Sequence, residues 1–261
     1  MEIEIATLLA LATIALLAGF FDAIAGGGGL VTLPALFIAG VDPLAAMATN
    51  KFQASSASVS AVLAFARKRM IDWRAGWPMA VLSFAGGVAG ALSISLLDRG
   101  VLEVSAPVLL IAVAAYFALC PKLGERERKQ RLTTLCFTLV VAPAIGFYDG
   151  IFGPGTGSFF MVAFTLLLGQ HLMQAICSSK LLNASCNLGA LSVFAFGGAI
   201  IWPLALAMAL CAIIGAQLGA RCALYFGPRL VKPLLITVCC LMALKLLLDN
   251  GHPVGEWLRQ Y

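Results

Sequence analysis

The sequence predicts an all-α polytopic membrane protein made of two inverted repeats, each a glycine-broken re-entrant helical hairpin followed by three transmembrane helices. Three observations carry this expectation. Of the 261 residues, 61% are hydrophobic and only 11% charged, whereas a soluble domain keeps about a quarter of its residues charged. The apolar residues come in runs near the roughly 20 that a helix needs to cross the hydrocarbon. The first half of the chain also recurs, in degraded form, in the second.

In chain order, residues 5–21 form the first apolar arm. They follow Glu2 and Glu4 rather than Lys or Arg, so the arm is expected to be permanent and not a cleaved leader. A glycine break, Gly26, Gly27, Gly28 and Gly29, separates it from a short second arm, residues 30–40. Three helices are expected next, over 43–65, 75–97 and 102–120. Residues 121–131, with Lys122, Glu125, Arg126, Glu127, Arg128, Lys129 and Arg131, are too polar for lipid and join the halves as a basic cytoplasmic linker. The second half repeats the plan: an arm at 132–148, a break at Gly153, Pro154, Gly155, Thr156 and Gly157, a second arm at 158–169, and helices over 171–196, 200–224 and 231–248. The first repeat thus spans 1–120 and the second 132–261, within one integrated transmembrane domain.

The repeat rests on GFFDAIAGGGG at 19–29 and GFYDGIFGPGTG at 146–157, offset by 127. Further on the offset is 129: Asn50-Lys51 aligns with Ser179-Lys180, Ser56 with Ser185, Trp73 with Trp202, and Gly86 and Gly90 with Gly215 and Gly219. Whether the halves are parallel or inverted turns on the break. A re-entrant hairpin returns the chain to the side it came from, leaves three crossings per half and inverts the second half. Inversion places Arg67, Lys68, Arg69, Arg74, the linker, Arg221, Arg229 and Lys232 on one side, and Glu2, Glu4, Asp42, Asp98, Glu103, Asp249 and Glu256 on the other. Cytoplasmic loops carry the Lys/Arg excess, so both termini are expected to be periplasmic in a bacterial inner membrane.

Non-helical backbone at membrane depth persists only where it is buried in protein or lines a cavity. Each break also opens a short helix whose first amides have no intrahelical acceptor, and such a terminus attracts anions. The plain alternative is a tight hairpin tip packed against its neighbours. Two breaks at equivalent positions favour a site, because discontinuous helices meeting at the midplane are a recurring transporter arrangement. Lys51 and Lys180 lie eight and nine residues into their helices, roughly 12–14 Å deep at 1.5 Å per residue, close to the hydrocarbon half-thickness of about 15 Å.

An intramembrane lysine needs an interior position and a partner. Lys51 shares a helix face with Ser55 and Ser58, Lys180 with Asn183 and Asn187, and Asn50, Gln53, Ser56, Ser179 and Ser185 add polar groups nearby. Two readings stay open: structural ion pairs to Asp22 or Asp149, or ammonium groups that neutralise a bound oxyanion. Asp22 and Asp149 could hold the lysines, coordinate a coupling cation or carry a proton. The Gly86/Gly90 and Gly215/Gly219 spacings are read as close helix packing, and Trp73, Trp77 and Trp202 as interfacial anchors. The eight cysteines form no C-x-x-C pair, and His171 and His252 stand apart, so no metal or cofactor is expected.

The opening glycine block, its degenerate copy from Gly146, the Thr49-Asn50-Lys51 stretch and the charged linker resemble the TauE/SafE sulfite-exporter family over nearly the whole chain. The resemblance implies an inner-membrane transporter of sulfite, organosulfonates or related sulfur oxyanions. Pro154 and Thr156 replace glycines in the second copy and Ser179 stands where Asn50 does, which implies two unequal half-sites. The function expected is therefore secondary active export of a small oxyanion. Its alternatives are a passive anion channel and a membrane-embedded enzyme or assembly factor; the latter lacks a catalytic cluster in the sequence. Expected partners are the anion and the lipid bilayer, with no nucleic acid. A homodimer is permitted by the short loops and small residues but not indicated.

Overall fold

A computed structural model describes residues 4–94 and 129–226 of the chain. The expected helices over 102–120 and 231–248, most of the linker, and Cys120, Cys239, Cys240 and His252 lie outside the described residues. Within them there are eight helices and no strand: α1 (Ile5–Ala25), α2 (Gly29–Ile38), α3 (Pro43–Arg67), α4 (Trp73–Ser93), α5 (Thr134–Ile151), α6 (Thr156–Leu167), α7 (Leu172–Phe196) and α8 (Trp202–Phe226). Four of these, α1, α4, α5 and α8, are long and apolar enough to cross a membrane, while α2 and α6 are short apolar helices.

Local chemistry fixes the element ends. Asp42 caps α3 by accepting from the Leu44 and Ala45 amides at 3.0 and 3.3 Å, with Pro43 in the first turn where its missing N–H costs nothing. Asp72 caps α4 through the Ala75 amide at 3.2 Å, and Thr133 caps α5 through the Cys136 amide at 3.3 Å. Helix α1 runs four residues past the expected end, because Phe21 to Ala25 stay helical until Gly26 (φ 81°) closes it with an N–H bond to the Asp22 carbonyl at 2.8 Å. Inside α5, Phe137–Val141 form a π turn that ends with the Ala142 amide on the Phe137 carbonyl. Pro143 follows directly; it has no N–H to give and crowds the carbonyl one turn back, and the wider turn accommodates it.

The helices meet backbone to backbone through small residues. A Cβ on Gly86 would strike the Pro143 carbonyl and one on Gly90 the Phe147 carbonyl; on the other side, Cβ atoms on Gly215 and Gly219 would strike the Leu16 and Phe20 carbonyls. Leu16 and Phe20 are the repeat mates of Pro143 and Phe147, so the arm of each half packs on the same helix of the other half. The order of these contacts shows that α4 runs parallel to α5 and α1 parallel to α8. Helix α3 also runs parallel to α8, with the Ile201 amide on Thr49 Oγ1 at 3.2 Å and Gln217 on Ser60 Oγ at 2.9 Å. Lys51 reaches Asp149, whose neighbour Gly150 lies against Gly87 and Ala91. That level is distant from the α3–α4 turn on both helices, so α3 and α4 are antiparallel.

In the second half the hairpin closes on itself. The amides of Arg131 and Leu132 both bond the Leu167 carbonyl, at 2.8 and 3.0 Å, so the end of α6 lies beside the start of α5. These directions gather Arg67, Lys68, Arg69, Arg74, Arg131 and Arg221, all exposed, at one end of the bundle, with Glu4 and Asp42 exposed at the other. Trp73, Trp77 and Trp202 are exposed in the first turns of α4 and α8, as interfacial aromatics should be.

Candidate functional site

The two breaks meet. A Cβ placed on Gly26 would collide with the backbone of Gly157 and Ser158, and one on Gly157 would lie 2.6 Å from the Gly26 Cα. Ser158 Oγ donates to the Ala25 carbonyl at 2.5 Å across this junction. Gly26 has the left-handed φ of 81°, so glycine is required there by both conformation and space. Gly26, Gly27, Gly28, Gly155, Thr156 and Gly157 are buried, and Gly29 and Gly153 partly so.

Both lysines arrive at this junction with only 1% of their surface exposed. Lys51 Nζ pairs with Asp149 Oδ2 at 2.8 Å, also donates to the Asp149 carbonyl, and reaches Asn187 Oδ1 at 3.3 Å. Its three donors are thereby engaged. The amine sits against Gly153, 2.9 Å from where a Cβ would be. Lys180 Nζ pairs with Asp22 Oδ2 at 2.9 Å and lies 3.2 Å from the Cβ position of Gly157. Each lysine thus takes the aspartate of the other half. The ion pairs left open in the sequence are formed, and they are crossed.

The remaining expected residues divide. Asn50 Oδ1 accepts from Thr32 Oγ1 at 2.5 Å, and its amide nitrogen faces Gly29. Asn187 Nδ2 donates to Asn183 Oδ1 and to the Asn183 carbonyl, both at 2.8 Å, which orients its own oxygen toward Lys51. Thr156 Oγ1 closes the second break on the Gly153 carbonyl at 2.8 Å. Gln53 and Ser55 are 2% exposed and have a side-chain oxygen without a hydrogen-bond partner, as does Asp149 Oδ1. By contrast, Ser56, Ser58, Ser179 and Ser185 bond carbonyls of their own helices, because a helical hydroxyl is satisfied locally by the preceding turn. They add nothing to the junction in this arrangement.

Three participants escape the sequence pattern. Thr32 ties the start of α2 to Asn50, Ser158 ties the second break to the end of α1, and Tyr148 braces the second break through a 2.8 Å bond from its hydroxyl to the Pro154 carbonyl. The available signal was position: Thr32 and Ser158 stand in the first turn after their break.

A multi-pass helical bundle with two broken helices and paired charges at its centre has the build of a membrane transporter, since charge inside a membrane protein is costly and marks a pathway. Comparison with known proteins narrows the class: the profile described as sulfite exporter TauE/SafE matches residues 11–246, and the chain belongs to that family. It is similar to the probable membrane transporter protein ORF9 of Sinorhizobium sp, 46% identical over 244 residues covering 94% of each chain. It is also similar to the probable membrane transporter protein YfcA of Escherichia coli strain K12, 42% identical over 246 residues, covering 94% of this chain and 91% of that one. A probable membrane transporter protein of Haemophilus influenzae is 41% identical over 251 residues, 96% and 98% of the two chains. No solved structure matches the chain.

Proposed function

We propose that the protein exports a small sulfur-containing oxyanion, sulfite or an organosulfonate, by secondary active alternating access. The anion is held near the bilayer midplane at the breaks ahead of α2 and α6, by break amides of the kind that Gly28 gives to Asp22, and by Lys51 and Lys180. The observation that carries this reading is the junction itself: the two helix breaks in contact, Gly26 at the end of α1 against Gly157 at the start of α6 and Gly29 at the start of α2 beside Pro154, with two buried ammonium groups against them. The sulfur chemistry comes from the family's description. An oxyanion there would draw a lysine from its carboxylate, and the freed Asp22 or Asp149 would take a proton or coupling cation.

Inversion of the two repeats is part of the proposal. It is supported by the parallel pairs α1/α8 and α4/α5 together with the antiparallel α3/α4 turn, which run the equivalent helices α4 and α8 in opposite directions. The basic end is then cytoplasmic and the start of α1 periplasmic; the crossing expected over 231–248, outside the described residues, would bring the C-terminus to the periplasm as well. Because both ion pairs cross between halves, breaking one loosens the halves at their shared centre and lets one rock against the other. Sulfite flux in proteoliposomes tests the reading. Saturable flux that follows an imposed proton or sodium gradient is expected; linear flux indifferent to both gradients would identify a passive channel instead.

A further inference from the structure

We propose that the Asp22 carboxylate is a built-in substitute for the transported anion, occupying its seat until substrate displaces it; this rests on the function proposed above. Asp22 Oδ2 lies 2.9 Å from Lys180 Nζ, and its other oxygen, Oδ1, accepts the Gly28 amide at 3.1 Å, immediately before α2 begins. One carboxylate therefore bridges a buried ammonium and a break amide, the two kinds of donor an oxyanion would use at a helix N-terminus. Lys180 has no other hydrogen-bond partner among the described residues, and its amine lies at the junction, 3.2 Å from the Cβ position of Gly157.

The second half does not do this. Asp149 is the repeat mate of Asp22 and Gly155 that of Gly28, yet no hydrogen bond joins them among the described residues, and Asp149 Oδ1 has no partner. Lys51 is instead held by Asp149 Oδ2, the Asp149 carbonyl and Asn187. The Asp149 side chain is fully buried, whereas that of Asp22 is 13% exposed. The half-sites are thus unequal: Lys51–Asp149 is a closed unit, and Lys180–Asp22 is the seat that can be vacated. An anion with two oxygens set like those of a carboxylate replaces Asp22 on Lys180 and Gly28, and the return of Asp22 expels it. A site competent only while Asp22 is away shows an affinity reduced by that fraction.

Equilibrium dialysis of radiolabelled sulfite against the purified full chain tests this. Asp22→Asn and Asp22→Ser are expected to tighten binding about tenfold or more by removing the competitor. Lys180→Gln is expected to lose binding, and Asp149→Asn, which removes the same charge from the closed unit, is not expected to tighten it. Wild-type binding that Asp22→Asn and Asp22→Ser leave unchanged or weaken overturns the inference while sparing the proposed function. Equal tightening by Asp149→Asn overturns it too, since net charge would then explain the gain. No binding by any form, the Asp22 variants included, defeats both. In the wild type, carbodiimide labelling of Asp22 mapped by mass spectrometry should rise with sulfite; labelling that stays constant or falls shows a carboxylate that never leaves its seat.

Discussion

Lys51 on α3 and Asp149 on α5 come from different halves of the chain and pair at 2.8 Å with almost no exposed surface. The mirror pair, Lys180 and Asp22, closes at 2.9 Å. Removing one member of a buried pair strands the other charge, at a cost of about 3–5 kcal/mol, whereas replacing both by apolar residues is often neutral. Lys51→Ala alone should therefore lower the thermal unfolding temperature in detergent, while Lys51→Met with Asp149→Leu should recover most of it. The double variant is nevertheless expected to lose sulfite flux. Wild-type flux in a stable double variant would reduce the pair to a structural clamp.

The glycine ladders carry a prediction that separates packing from transport. On α4 and α8, a methyl group at Gly90 or Gly219 would drive into the Phe147 or Phe20 carbonyl. Overpacking of a tight contact costs about 1–3 kcal/mol. Gly90→Ala and Gly219→Ala should each lower the unfolding temperature by a similar margin, because the two sites are repeat mates. A large effect at one and none at the other would contradict the shared packing scheme.

A matched pair of left-handed glycines tests the junction. Gly26 and Gly198 have φ of 81° and 66°, but a Cβ at Gly26 would collide with the Gly157 and Ser158 backbone, while one at Gly198 meets nothing within 4 Å. Gly198→Ala should cost about 1–2 kcal/mol, the strain of the left-handed conformation alone. Gly26→Ala should in addition force the two tips apart and abolish flux. Flux that survives Gly26→Ala would show that contact between the tips is dispensable.

Much of this centre was legible because lipid makes it so. A lysine, an aspartate or a run of glycines inside an apolar sequence has few explanations, and the repeat placed each of them twice. Lys51, Lys180, Asp22, Asp149 and the breaks accordingly stand out in the sequence, and the structure brings them together. The crossing of the pairs was not legible, since periodicity along a helix reports a face and not the partner opposite it. Ser56 and Ser185 illustrate the other limit. Their sequence context marks them as polar groups in a membrane span, but a hydroxyl on a helix can satisfy itself on the preceding turn. The apolar run stops at Asp22, so the sequence places the end of α1 four residues short; pairing with Lys180 and the Gly28 amide keeps that residue inside.

The end-to-end charge difference gives the last prediction. Lys68 is exposed in the turn between α3 and α4, among Arg67, Arg69 and Arg74, and Glu4 is exposed at the start of α1, at the opposite end of the bundle. With the basic end cytoplasmic, a membrane-impermeant maleimide added to intact cells should label Glu4→Cys but not Lys68→Cys, each in a background with the native cysteines replaced. Permeabilised cells should label both. Cys136 is exposed in α5 near the basic end, so restoring it alone should reproduce the pattern of Lys68→Cys. Labelling of position 68 from outside, with position 4 protected, would reverse the orientation; labelling of both from outside would break the antiparallel arrangement of equivalent helices on which inversion depends.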